Sequence, residues 1–186
     1  MATGGNTATK VSTGKPKITG AVYVAPRTAT VPTDATTALG NDFTCLGYVS
    51  EEGLENSNEM DISEIKAWGA VIVYRSLTKL DDIFKLALIE STNADVLKAV
   101  YGDSNVTVDS QTGEISIDVK AEDPQEKIWV FELALRGNLS KRIVIPDGAI
   151  TSREAITYND EDPIEYGIEV SAYPDADGNT HKEYIA

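Results

Sequence analysis

The sequence predicts a mainly β protein, a β-sandwich or partial barrel with one flanking α-helix and one long inter-strand loop. Three observations predict it. Short runs of β-branched and aromatic residues recur along most of the chain, separated by Gly, Pro, Asn and Asp. One segment, residues 93–101, spaces its apolar residues as a helix does. One stretch, residues 51–69, carries apolar residues with no regular period, and such a loop inside a compact domain is usually functional or disordered.

Taken in order, residues 1–17 are mostly Thr, Gly, Ser, Ala and Lys with a single valine and bury too little apolar surface to offset their ordering entropy. They read as a flexible arm ahead of a β domain over 18–186. Residues 18–25 (ITGAVYVA) form a short strand that stops at Pro26, and a Thr- and Pro-rich connection leads to a second strand, FTCLGYVS over 43–50. In the latter, Gly47 marks a bulge or a close backbone approach. After the 51–69 loop come two strands, AVIVYRS over 70–76 and residues 82–90. In the second, Phe84, Leu86 and Leu88 alternate with Ile83, Ala87 and Ile89. A strand apolar on both faces lies between two layers or at a subunit contact.

The helix has Thr92 or Asn93 to cap it, Asp95 in its first turn and Gly102 to end it. It is too short to stand alone, so it packs on a sheet. Residues 106–108 and 114–119 read as a hairpin through Asp109 and Gly113. Residues 128–136 (IWVFELALR) are the core strand, with Trp129, Phe131, Leu133 and Leu135 on one face, paired with 141–145 through Gly137 and Asn138. Strands over 150–158 and 165–173 flank an acidic turn, and a turn at Asp177 and Gly178, read as type I′, precedes a last short strand.

Charge separates the first third into two blocks. Up to Thr33 there are bases (Lys10, Lys15, Lys17, Arg27) and no acid; from Thr28 to Ile65 there are eight acids and no base. That layout suits like copies meeting head to tail. The whole chain carries 30 acids against 16 bases, a net charge of −14, which opposes binding nucleic acid through its phosphates. It does not oppose enclosing it.

No constellation for catalysis emerges. The one cysteine, Cys45, has no partner for an intramolecular disulfide and reads as a small apolar residue. A metal site or Ser/His/Asp relay would rest on the one histidine, His181, near the C-terminus. Residues 175–179 (DADGN) begin like a calcium loop, but Thr180 and Ala186 stand where the glycine and the closing glutamate belong, so a hairpin turn is the better reading. The acidic pairs Glu51/Glu52 and Asp81/Asp82 read as solvated faces, and the two sequons at Asn105 and Asn138 as chance. No phosphate-binding or nucleophile-elbow motif occurs. No apolar run approaches the roughly 20 residues of a membrane span. The expectation is therefore a protein without enzyme activity, cofactor, metal or membrane partner, made in a cytosol-like compartment.

A series of short words carries a resemblance: GAVYVAP from Gly20, PTDATTAL from Pro32, LGYVSEEGL from Leu46, KAWG from Lys66, NADVLKAVYG from Asn93, KRIVIP from Lys141 and AYPD from Ala172. Together they closely resemble the major tail tube proteins of long-tailed, non-contractile bacteriophages. The resemblance implies a β-sandwich or partial-barrel core with one helix, hexameric rings of like copies and rings stacked into a hollow virion tail tube. It implies DNA passing through the lumen without specific binding, a long loop reaching the neighbouring ring and an arm that orders on assembly. The implied partners are the tape-measure, tail-tip and tail-terminator proteins, and the implied place of assembly is the host cytoplasm. A related tube of a contractile tail or secretion-type needle, and a β-sandwich capsid decoration or binding module, are the alternatives.

On this reading stacking falls to the arm and the long loop. Lys10, Lys15 and Lys17 would meet acids of the next copy, Glu51, Glu52 and Glu55 among them. Leu54, Met60, Ile62 and Trp68 would supply apolar contact. The two-faced strands over 82–90 and 128–136 are candidates for the ring wall.

Overall fold

A computed structural model describes residues 5–186. It is built mainly of antiparallel strands. Strands β1 (Lys15–Pro16), β2 (Val22–Pro26) and β3 (Thr44–Cys45) precede a hairpin of β4 (Val49–Lys66) and β5 (Ile72–Leu88). Helix α1 (Ala94–Tyr101) follows, then the small hairpin of β6 (Val106–Val108) and β7 (Ile115–Ile117). The chain ends with β8 (Lys127–Ala134), β9 (Ser140–Arg153), β10 (Tyr166–Ala172) and β11 (Lys182–Ile185).

The main sheet runs β3-β2-β8-β9-β10-β5-β4, with β1 also on β8 and β11 also on β9. In a flat sheet β8 and β5 would lie three strand spacings apart, about 14 Å. Yet Phe131 of β8 and Phe84 of β5 stack with ring centroids 5.5 Å apart. The sheet therefore curls on itself, and β2 and β8 face β5 and β10 across one core. That core holds Val22, Phe84, Leu88, Trp129, Phe131, Ile145, Ile168 and Val170, closed at one end by Val96, Leu97 and Val100 of α1. Each large side chain so buried contributes about 1.5–3 kcal/mol. This is the mainly β, sandwich-like fold that the strand pattern predicts.

Strand β9 makes the curl possible. Its first half pairs with β8 on one edge and β11 on the other; its second half, from Gly148, pairs with β10. The sequence reads as two strands, 141–145 and 150–158, because Pro146, Asp147 and Gly148 intervene. The chain instead continues through them and changes partner. Gly148 is needed there, since a Cβ would sit 2.9 Å from Ile145 and 3.2 Å from Trp129, whose indole Nε1–H donates to the Gly148 carbonyl at 3.2 Å.

The outer face of β8 is also covered. Ala25, Ile128, Val130 and Val144 form a second cluster under Ala29, Val31, Leu39 and Phe43 of the β2–β3 connection. The two-faced pattern of 128–136 thus reports a covering segment of its own chain. The covering segment is pinned by charge. Arg142 and Glu132 are directly opposed on β9 and β8, both about 3 % exposed, and bonded at 2.5 Å. The Arg142 guanidinium also donates to the carbonyls of Asp34 (2.7 Å) and Thr37 (2.8 Å).

The helix begins where expected. The Asn93 side chain accepts from the Asp95 amide at 3.0 Å, and Gly102, with φ 101°, ends it. The hairpin through Asp109, the turn at Gly137 and Asn138 and the final strand also match the expectation. The turn before β11 does not. Gly178 has φ 84° while Asp177 keeps a negative φ, so it is not type I′. Gly47, with φ 73°, is a point of close approach, where the Glu90 carboxylate lies against its backbone and accepts from the Tyr48 amide at 3.0 Å.

Candidate assembly surface

The largest departure from expectation is the segment 51–69. It is not an irregular loop but the outgoing strand of an extended hairpin, 18 residues in β4 and 17 in β5, against the usual five or six. The strands expected at 70–76 and 82–90 are one continuous β5. The sequence hides this because, beyond Asp82, the ribbon buries neither face against the described residues of its own chain. Alternation of apolar and polar residues is imposed only where one face is buried. Gly53, at φ 76°, sits in the irregularity between Val49 and Leu54, after which the register is regular to Asp61.

Asp82 is the last buried residue of β5 before the ribbon leaves the body. From there to Ile72 is about 33 Å of strand. Opposed residues share a face. One face continues the core stripe of Leu86 and Phe84 outward as Met60 opposite Leu80 and Ile62 opposite Leu77. The other face carries Glu55 opposite Lys85, Glu59 opposite Asp81 and Asp61 opposite Lys79. Lys79 pairs with Asp81, and this contact, with Asp61 and Glu59 nearby, raises its pKa. Past the irregularity at Asp61 and Ile62 the faces exchange character. Glu64 and Arg75 form an ion pair at 3.0 Å on the first face, and Ile65 opposes Tyr74 on the second.

Half of the exposed large apolar side chains among the described residues lie between positions 60 and 80. Trp68, in the turn, is fully exposed, and the following Ala70 holds φ 64°, a left-handed conformation uncommon for alanine. Of the apolar residues singled out in the sequence, Met60, Ile62 and Trp68 are exposed on the ribbon. Leu54 packs partly against the core. Glu51, Glu52 and Glu55 are exposed at its root. Sequence reasoning missed the returning strand's share, Val71, Val73, Tyr74, Leu77 and Leu80. Their run reads as an ordinary buried strand, and the partners of Tyr74, Leu77 and Leu80 on β4 are themselves apolar, Ile65, Ile62 and Met60.

The root of the ribbon is held by a polar node. The Asp82 carboxylate, fully buried, accepts from Thr180 Oγ1 at 2.6 Å and Asn56 Nδ2 at 2.8 Å, and pairs with His181 Nδ1 at 2.5 Å. Burial alone would raise its pKa; the hydrogen bonds from Thr180, Asn56 and His181 outweigh that and hold it below the ordinary carboxylate value. The His181 ring also meets Phe84 edge-on, with centroids 5.2 Å apart. His181 thus ties the C-terminal segment to the hairpin.

The arm expected over 1–17 lies partly outside the described residues, at 1–4. Residues 5–16 are exposed. Lys15 and Pro16 pair with Ala134 and Leu133 of β8, and Ser12 Oγ accepts from the Arg136 amide at 2.7 Å. Lys17 pairs with Glu132 of its own chain, joining the Arg142 network. Lys10 and Lys15 are therefore the exposed bases of this segment.

No helix among the described residues is long and apolar enough to cross a membrane. Comparison with curated proteins gives no match. A family model described as "Phage tail tube protein" matches residues 15–186, from the first paired residue of the arm through the hairpin and core to the last residue. The chain belongs to this family of structural virion proteins, phage tail components that associate with like copies into a tube.

Proposed function

We propose that this chain is the major tail tube protein of a long-tailed, non-contractile phage, forming hexameric rings that stack into the hollow tube through which DNA reaches the host. The observation that carries this reading is the apolar ribbon over 60–80, which its own fold leaves bare on a chain of the tail tube family. Bare apolar surface of this extent is an association site. The ribbon reaches the neighbouring ring, with Met60, Ile62 and Trp68 among its contacts.

Ring closure needs a second surface. Strand β4 ends the strand order, so its outer edge carries unpaired N–H and C=O groups over much of its length. Such an edge is a template for a strand of another copy, and closing a ring removes it. The arm adds the exposed bases Lys10 and Lys15, whose partners on this reading are Glu51, Glu52 or Glu55 of an adjacent copy. Exposed pairs of this kind contribute about 0–1 kcal/mol each, and repetition around a ring multiplies them.

The excess of acids serves the lumen, where a negative wall keeps DNA phosphates from adhering within a Debye length of about 8–10 Å. Length control and nucleation fall to a tape-measure protein and a tail-tip complex, and closure to a tail terminator, all acting in the host cytoplasm. Electron microscopy of the purified chain mixed with tip complex and tape-measure protein tests the reading. Six-fold rings and tubes are expected; a chain that stays monomeric with both present overturns it. Deleting residues 1–14, which spares the β1 pairing and Lys17, leaves a folded monomer that elongates poorly. Tubes of normal length from that deletion would remove the arm's role.

A further inference from the structure

We infer that the hairpin tip has a specific receptor on a second copy of this chain: a groove between the start of α1, the β2–β3 edge and residues 124–127. The inference rests on the proposed tube reading and names the partner surface for the ribbon's end. The groove measures about 750 Å³. Pro26 and Pro124, both exposed, line it beside the buried Val24 and Ala25, so its prolines offer rigid apolar surface to an aromatic ring.

The charges match the tip. Of the bases lining the groove, Arg27 is engaged by Glu126 and Asp147, and Lys127 by Asp103 at 2.6 Å. Asp42 and Asp95 are exposed at the groove and appear in no ion pair among the described residues, with Lys98 as the remaining base. The tip, residues 66–71, carries Lys66 beside Trp68 and no acid. A fully exposed tryptophan flanked by a base thus meets a cleft of largely polar residues that offers two prolines to the ring and the acids Asp42 and Asp95 to the base.

Topology makes the contact intermolecular and open-ended. The groove is built on β2 and β3, at one end of the strand order, and the tip on β4 and β5, at the other. Paired strands hold Trp68 away from the body of its own chain. A knob and a hole at different places on one surface make a heterologous contact, which extends along a stack where its rotation does not close.

The test uses the full chain under conditions where the wild type forms rings or tubes. Trp68→Ala should weaken inter-copy association at least about 30-fold. Asp42→Lys with Asp95→Lys, both at exposed positions, should do the same while circular dichroism matches the wild type. Mixing the two variants should restore one productive contact per pair, the intact tip of the charge-reversed chain in the intact groove of Trp68→Ala, and yield 1:1 complexes that do not elongate. A photo-crosslinking residue at position 68 should label residues 24–27, 42–44 or 124–127 of another copy. Wild-type assembly by Trp68→Ala, or labelling confined to other regions, overturns this inference and leaves the tube reading standing. Absence of rings and tubes from the wild type with its tip complex would instead overturn the tube reading itself.

Discussion

Two regions of this molecule obey the same local rule and end differently. Strands β8 and β9 are apolar on both faces, and their own chain covers both: the curled sheet on one side, the β2–β3 connection on the other. The outer reach of β4 and β5 also presents apolar side chains, Met60, Ile62, Leu77 and Leu80 on one face and Ile65 and Tyr74 on the other, and they stay exposed among the described residues. Pairing alone therefore fixes a ribbon, and burial decides whether the ribbon is core or surface. The body carries its own cover; the hairpin has none among the described residues.

The strongest way to break the comparison is to remove what holds the body's cover in place. Arg142 bonds Glu132 and two carbonyls of the covering segment in a nearly water-free site. Arg142→Ala leaves Glu132 with only the Lys17 amine and frees the cover. Breaking a buried pair by removing one partner costs about 3–5 kcal/mol. Urea unfolding followed by tryptophan fluorescence should show that loss through Trp129, which lies beneath the same sheet. A loss below about 1 kcal/mol would mean that the cover is held by its apolar contacts alone.

Most of the body was legible in the sequence and the hairpin was not, for the same physical reason. Trp129, Phe131, Phe84 and Leu88 alternate because a core selects them, and the cap at Asn93 and the stop at Gly102 mark the helix by local chemistry. From Glu55 to Glu64 no core selects anything, so Asn, Ser and Glu fill β4 and the period disappears. The acids of that stretch signalled a surface, which it is; the strand pairing left no mark. Likewise Lys17 read as a base for another copy because its partner Glu132 is 115 residues away in sequence.

A smaller effect is expected at the junction of the two regions. Asp82→Ala removes the acceptor shared by Asn56, Thr180 and His181 and should cost about 1–3 kcal/mol. The same node gives an acid limb. Its folded-state pKa lies below the unfolded value of 3.8, so its stabilising contribution is complete above that value and is lost as pH falls through the folded pKa. Asp34, held low by the Thr37 side chain and then the Thr37 and Thr36 amides, Asp109, by the amides of Gln111 and Thr112, and Asp175, by the Asn179 amide and Lys182, act in the same direction. Asp147 acts oppositely, because burial raises its pKa and protonation relieves that cost. Denaturation midpoints measured from pH 6 to pH 2 should fall for the wild type, and fall less steeply for Asp82→Ala. Equal slopes would show that the node does not couple to folding.

The least effect on the monomer and the largest on assembly should come from the ribbon itself. Ile62 and Leu77 oppose each other and are each more than half exposed. Ile62→Ser with Leu77→Ser removes a cross-strand apolar pair worth about 0.2–1 kcal/mol and creates no cavity, because nothing packs above it. Monomer unfolding should therefore shift by less than about 1 kcal/mol, while ring stacking, read by electron microscopy, should be lost. The same exchange at Phe84 and Phe131 would unfold the body, since both lie in the closed core and each large-to-small change there costs about 3–5 kcal/mol. If the ribbon variant unfolds as readily as a core variant, the ribbon is already covered by its own chain in solution, and the contrast between the two regions disappears. If it folds and still stacks, the apolar face is not the contact, and the charged face around Lys79 and Asp81 becomes the surface to examine next.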